Sequence, residues 1–414
     1  MIRLIIICQL SSLLFAQKIF EEFEKDRNNK YHYKETYRFD TIPDDGAYTV
    51  LLESIEGDIR VTSHSGSGAE LTITRKIRAI TQKKAKWLVK NSIILVYHLE
   101  DDQLIQVRSE KKMRYTRNIQ TEFDLKLPMN INLNLETTGG DIDVSGIRGE
   151  SILKTSGGDM DLENMMGRIE ANTSGGDIGV SGVEGLIRVH TSGGDIEIEN
   201  SDGQFNASTS GGDLEFHHLT GNIEAQTSGG SISLENIEGE SVKIRTSGGD
   251  INAEDISADL TGRTSGGEID LENIKGHVDV TTFGGDINAK EITGSLTCHS
   301  SGGDIEGQEI IGFVNASTTA GNIEMEMFYN SSIKVYSINL VTQSGDIFIR
   351  VPEGLPVNID AEIFGTGTSE ELNSDIPLNI SSTENRITGI GKIKNGTIPM
   401  RLRATFGTIT IEQD

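Results

Sequence analysis

Carboxylates recur in this sequence at a fixed spacing, and that spacing is the first thing that could do chemistry. Asp141, Asp159, Asp177, Asp195, Asp213, Asp250, Asp286, Asp304 and Asp346 follow a Gly-Gly pair or a close variant of it. Two residues further on, Asp143, Asp161, Glu197, Glu215, Asp270, Glu306 and Glu324 point the same way. Hard oxygens in file, with turn carbonyls nearby, are what calcium prefers. Asp159, Asp177, Asp195, Asp213, Asp250, Asp286 and Asp304 are therefore the candidate metal ligands. The competing reading is a solvated acidic face. Unit charges one strand spacing apart repel by roughly 1 kcal/mol in water, and less in salt, so such a column needs no cation. The unit also lacks the second Gly-x-Asp of nonapeptide calcium rolls. The acidic face is thus the expectation, with calcium as the alternative.

Clustered carboxylates could also serve a polysaccharide lyase or hydrolase. Catalytic pairs normally interrupt a repeat with a unique insertion, and these repeats are nearly uninterrupted. His190, His217, His218, His277 and His299 hold no fixed place in the spacing. No nucleophile elbow, His-Glu-x-x-His or phosphate-binding glycine loop is present. The expectation is no catalytic residue and no cofactor.

The elements that position these groups follow from the repeat itself. Thr-Ser-Gly-Gly begins at Thr155, Thr173, Thr191, Thr209, Thr227, Thr246 and Thr264, and looser copies begin at Thr137, Thr282, Ser300, Thr318 and Thr342. Successive starts are 18 apart, except for one step of 19 and a last step of 24. Within a unit, Ile196 and Ile198 alternate with Asp195, Glu197 and Glu199, and Phe205, Ala207 and Thr209 alternate on the return. That is the period of half-buried strands. The pairs Gly157-Gly158, Gly175-Gly176, Gly193-Gly194, Gly211-Gly212, Gly229-Gly230 and Gly248-Gly249 are read as structural turns that supply positive φ, with the Asn-x-x-Gly segment making the other turn. The fold class expected is all-β: a parallel β-solenoid of about twelve two-sided coils, right-handed by the usual crossover rule. Each coil buries about five apolar side chains, worth ~1.5–3 kcal/mol apiece, too little to offset its own ordering, so stacking is obligatory and both ends need caps. By parity the threonine column faces inward near the turn, and Cys298 falls at a core position.

Residues 46–136 form the expected N-terminal cap, with strands and one helix at Gln82–Lys90 capped by Thr81. Leu52-Glu53-Ser54-Ile55-Glu56-Gly57 echoes Leu234-Glu235-Asn236-Ile237-Glu238-Gly239, so this cap carries a degenerate coil. The solenoid is assigned to 137–350 and a C-terminal β cap to 351–414, whose final strand-turn-strand would close the sheet edge. The insertion around Phe328–Asn339 reads as a coil-to-cap adjustment, with a binding bulge as the alternative.

Tandem TSGGDI repeats, a strand-rich head containing LESIEGDIRV and the closing GIGKIKNGTIPMRLRATFGTITI together resemble the bacterial "putative adhesin" β-strand-repeat family, a domain of unknown function. The resemblance covers most of residues 46–414. It implies a β-solenoid in a cell-envelope setting, and it implies no ligand or catalytic residue.

Composition agrees with an exported binding module. The chain of 414 residues has 47 Gly, 6 Pro and a formal charge of −26. Residues 137–350 hold 35 Asp+Glu against 11 Lys+Arg, a net of −24, which excludes nucleic-acid binding through a basic surface. Residues 1–16 read as a secretory signal, followed by a lead-in over 17–45, and after the signal no run is long and apolar enough for a membrane helix. Removing that signal would leave Cys298 as the one thiol and no internal disulfide. A basic surplus sits in the head: Lys83, Lys84, Lys86 and Lys90 on the expected helix, and Lys111, Lys112, Arg114 and Arg117 in a loop. Docking on anionic lipid or cell-wall polymer is one use for it. The function expected is an exported, non-enzymatic envelope scaffold that binds a polysaccharide or a surface protein through repeated acidic sites. A carbohydrate-active β-helix enzyme and a calcium-stabilised spacer are the alternatives.

Overall fold

The computed structural model describes residues 14–26, 30–40, 42–110, 118–365 and 371–414. Residues 1–13 of the expected secretory signal and the basic loop Lys111, Lys112, Arg114 and Arg117 lie outside these. The protein is an all-β solenoid with one helix among the described residues, and it divides into two compact units, one reaching to Gly194 and the other Asp195–Asp414.

A coil of the second unit shows why the 18-residue sequence folds as it does. In the strand Ile269–Thr281, Ile269, Leu271, Ile274, Val278 and Val280 are buried, and Thr282 continues the inward series. Each pairs in parallel with its equivalent 18 residues on: Ile269 with Ile287, Leu271 with Ala289, Ile274 with Ile292, Val278 with Leu296 and Val280 with Cys298. Identical positions thus form continuous apolar columns, and no single coil has a core of its own. Cys298 lies in such a column between Val280 and Ala316, where burial pushes its thiol up to about 12 and leaves it an inert small hydrophobe. The one 19-residue step is absorbed as a bulge: pairing runs Thr220–Glu238, then resumes at Ile223–Val242.

The first corner is made by a residue in the left-handed region. Asn164, Asn200, His218, Asn236, Asp255, Asn273, Glu291 and Glu309 all have φ between 51° and 57°. Asparagine tolerates that conformation best, which explains its prevalence there. Ser54, in the sequence echo of the head, adopts the same φ of 55°. The glycine three residues on, such as Gly167 or Gly203, also has positive φ.

The Gly-Gly turns obey a different constraint from the one the sequence suggests. Gly157-Gly158, Gly175-Gly176, Gly193-Gly194, Gly229-Gly230 and Gly248-Gly249 do not use left-handed φ. The second glycine of each pair is required by close backbone stacking instead. A Cβ on Gly158 would lie 2.1 Å from the Gly140 carbonyl oxygen, whereas one on Gly157 would meet nothing within 4 Å.

At both ends the stacking order departs from chain order. In the first unit the strands Thr49–Ile55 and Asp58–His64 pair in parallel with Leu104–Ser109 and Ile119–Pro128 on one side, and with Asn132–Thr137 and Ile142–Ser145 on the other. Antiparallel strands then cover the edge: Ile94–Leu99 beside Leu104–Ser109, and Ala69–Ile77, Tyr31–Phe39 and Gln17–Lys25 in succession beyond Ile119–Pro128. The helix Gln82–Asn91 is capped by Thr81, whose Oγ1 accepts the Lys84 N–H at 3.3 Å. Its Ala85 and Leu88 pack on Tyr31, Tyr33 and Ile77.

In the second unit the final strands Ile398–Thr405 and Ile409–Gln413 are not the closing edge. They insert as a coil between Ser337–Val351 on one side and Val357–Phe364 with Leu372–Ser374 on the other. Beyond Val357–Phe364 lie Arg386–Lys392 and, outermost, Leu378–Thr383, both antiparallel. The edge is therefore a hairpin that precedes the last coil in sequence. The aromatic insertion folds on itself: the Tyr336 hydroxyl accepts the Asn330 N–H at 2.8 Å, and the Tyr329 and Tyr336 rings lie 5.5 Å apart.

Candidate binding face

Two of the polar columns are consumed by the fold. The threonines point inward at the turn and join successive coils. Thr264 Oγ1 donates to the Gly249 carbonyl at 2.8 Å and accepts the Gly267 N–H at 3.2 Å. Thr282 repeats this with Gly267 at 2.9 Å and Gly285 at 3.2 Å, and Ser300 does so with Gly285 and Gly303, both at 2.9 Å. Each hydroxyl thus satisfies a donor and an acceptor that the tight turn would otherwise bury unpaired.

The aspartates after Gly-Gly are also structural. Asp141 Oδ1 accepts the Asp159 N–H at 3.0 Å, and Asp159 accepts from Asp177 at 2.9 Å. In the second unit Asp195 accepts from Asp213, Asp213 from Ser231 and Asp286 from Asp304, each at 2.7 Å, while Asp250 accepts from Glu268 at 2.9 Å. A short side-chain acceptor reaches the next coil's amide, so Asn322 and Ser231 can substitute in the column. Of the seven aspartates singled out for a metal, Asp159, Asp195, Asp213, Asp250, Asp286 and Asp304 each give one oxygen to a backbone amide of the next coil.

Among the outward columns that remain for a partner are those of the first strand. Asp143 and Asp161 are register neighbours there. Arg60 pairs with Asp143 at 2.9 Å, while Asp161 has no cationic partner among the described residues. Partial desolvation, then the carboxylates of Asp143, Glu163 and Asp159, hold the Asp161 carboxyl above its ordinary range. A raised carboxyl favours folding only where it is protonated. Its contribution is complete below the unfolded value near 3.8 and is lost as pH rises through the higher folded value. Asp161→Asn should therefore unfold at higher denaturant than the wild type at pH 7, with the gap closing below pH 4. Urea midpoints at the two pH values check this.

In the second unit the same face forms an open groove of about 430 Å³. One column along it reads Ser233, Asn252, Asp270, Asn288, Glu306, and the other Glu235, Glu254, Glu272, Lys290, Gln308. Asn288 Nδ2 donates to Asp270 Oδ1 at 2.8 Å, and Lys290 bridges to Glu272. Five carboxylates face one ammonium, so the groove is acidic but rich in neutral amide and hydroxyl groups. Spacing alone could have found these columns, since they are the polar positions that alternate with the core.

Elsewhere on this face, sequence spacing missed a convergence. Glu197, Glu215 and His217 bring one ligand atom each within 4.8 Å of one another, and His217 Nδ1 also lies 3.2 Å from Glu235 Oε2. The signal was present, because His217 is in register with Glu199 and Glu235. The helix lysines Lys83, Lys84, Lys86 and Lys90 are all exposed. Lys84 Nζ lies 3.8 Å from the Trp87 ring centroid, whereas Lys86 and Lys90 border a separate cavity in the head.

Comparison with known proteins supports the repeat. Among curated proteins nothing matches. A putative cell adhesion protein from Clostridium sporogenes ATCC 15579 aligns over 92% of this chain and all of its own, at 9% identity and a TM-score of 0.16. A putative lipid binding protein from Parabacteroides distasonis ATCC 8503 aligns over 76% of this chain and 96% of its own, at 14% identity and a TM-score of 0.21. Superpositions this loose carry nothing about fold or function. Residues 118–218 and 199–308 each match the family described as Toastrack DUF4097. The matched stretch 118–308 contains the 18-residue coils, and its resemblance to Toastrack DUF4097 lies in that repeat.

Proposed function

We propose that the protein is an exported, non-enzymatic binding and scaffold module of the cell envelope, and that its contact face is the outward groove from Ser233 to Gln308. One observation carries this reading. Threonine and turn aspartate are tied up in coil-to-coil hydrogen bonds, so the outward columns are the regular polar surface left free to meet a partner. Amides, hydroxyls and carboxylates repeat along it at the ~4.8 Å spacing of adjacent strands. A polymer with regularly repeated hydroxyls, such as an envelope polysaccharide, can engage several such positions at once, and weak contacts then gain strength by multivalency.

Cosedimentation with fractionated envelope material tests it. The wild type should pellet with a polysaccharide fraction, and the triple variant Asn252→Ala, Asp270→Ala, Asn288→Ala should lose at least tenfold in affinity while keeping its melting temperature. Equal pelleting by the triple variant, or pelleting with no fraction, overturns the proposal. Shortening of the polymer by the purified protein would replace it with a carbohydrate-active enzyme. Loss of pelleting on chelation would add calcium at the contact.

A further inference from the structure

The head carries a site that the repeat does not explain. A cavity of about 470 Å³, within the ~300–1,000 Å³ range of small-molecule sites, lies among the strand Gln17–Lys25, its neighbouring strands and the helix Gln82–Asn91. Part of its lining is an ion cluster. Glu35 and Arg75 are both 3% exposed and form an ion pair. Glu35 Oε2 also accepts the Tyr37 hydroxyl at 3.1 Å and the Tyr33 hydroxyl at 3.3 Å, and lies 3.3 Å from Lys18 Nζ. Burial pushes Tyr33 up to about 12 and raises Tyr37 as well, so both stay neutral donors at pH 7. Arg75 Nη1 donates to the Ser92 carbonyl at 2.7 Å. Its Nε–H is nevertheless buried without an acceptor.

An unmet N–H on a buried guanidinium is costly, and stability alone would favour apolar residues there. The rest of the lining shows what could offset that cost. Phe23, Val89 and Ile93 give the cavity an apolar side, and Lys86 Nζ sits 5.3 Å from the Phe23 ring centroid. Neither Lys86 nor Lys90 meets a carboxylate among the described residues. Glu21 and Glu35 face Lys18, Arg75, Lys86 and Lys90, a local surplus of two positive charges in a chain of −26.

We propose that this cavity binds a small amphipathic anion, with one carboxylate or phosphate group on a compact apolar body. The anionic group would meet Lys86, Lys90 and the guanidinium of Arg75, and the apolar body would lie against Phe23, Val89 and Ile93. The site is separate from the groove of the solenoid, so neither proposal depends on the other.

Calorimetric titration of the intact chain, with Trp87 fluorescence as a second reporter on the same helix, tests this. The probes are octanoate, octyl phosphate, octanol and inorganic phosphate. Octanoate or octyl phosphate should bind saturably at one site per chain, with octanol and inorganic phosphate at least tenfold weaker. The double variant Lys86→Gln, Lys90→Gln, at two exposed positions, should weaken binding at least tenfold with unchanged melting. Which charged probe binds tighter distinguishes carboxylate from phosphate. The proposal is overturned by no saturable binding, by octanol or inorganic phosphate binding as tightly as the amphiphiles, or by an unaffected double variant. Binding confined to vesicles of anionic lipid would likewise overturn it, in favour of a membrane-surface contact.

Discussion

Gly158→Ala is expected to destabilise the first unit by more than ~3 kcal/mol, while Gly157→Ala one position earlier leaves stability within ~1 kcal/mol. The two glycines are sequence neighbours in the same turn, and neither has left-handed φ. The difference lies in what a methyl group would strike. At 158 it would lie 2.1 Å from the Gly140 carbonyl oxygen and 2.4 Å from its carbon, both backbone atoms held in the ladder. No rotamer change relieves that clash, so two coils must separate. At 157 the space is open, and alanine there also narrows the unfolded ensemble. Urea unfolding of both variants measures the contrast. Similar losses at both positions would mean that the turn needs glycine for conformational freedom after all.

Thr282→Val should cost roughly 2–3 kcal/mol, although it replaces a buried side chain with one of nearly the same shape. The hydroxyl donates to the Gly267 carbonyl and accepts the Gly285 N–H, and valine leaves both without a partner in a closed turn. Thr282→Ser keeps both bonds and should cost only about 1 kcal/mol, for the lost methyl. The protein contains its own control, since Ser300 already fills the equivalent place with the same two bonds. Denaturant midpoints for the two variants decide it. A valine variant as stable as the serine one would show that water enters the turn and satisfies these groups.

Much of the repeat was legible because its determinants are local or repeated. Alternation placed Ile196, Ile198, Phe205 and Ala207 inward, and parity placed Thr209 with them; all five are buried. The Thr81 cap and its helix need only a few adjacent residues, and the helix ends at Asn91, one residue beyond the expected Lys90. The Gly-Gly pairs were located correctly but for the wrong reason. Sequence shows that glycine is required, and only the stacked backbones show whether φ or close approach requires it. The aspartate column was visible as chemistry, yet its Oδ1 atoms serve the amides of the next coil, a bond between residues 18 apart that composition does not reveal.

The sequence by itself determined the coil, its length, its inward and outward faces and the acidity of the surface, because each depends on a period that every unit restates. Only the tertiary structure decided the order of coils at the ends, where residues 398–413 slip inside residues 357–374 and residues 49–64 separate 104–128 from 132–145. Only the tertiary structure brought Glu35 to Arg75, forty positions away and outside any repeat. Periodic contacts join positions at one fixed separation, so spacing encodes them. Contacts in the caps join segments at unrelated separations, and their choice rests on which edges and apolar faces are left uncovered once the coils have stacked.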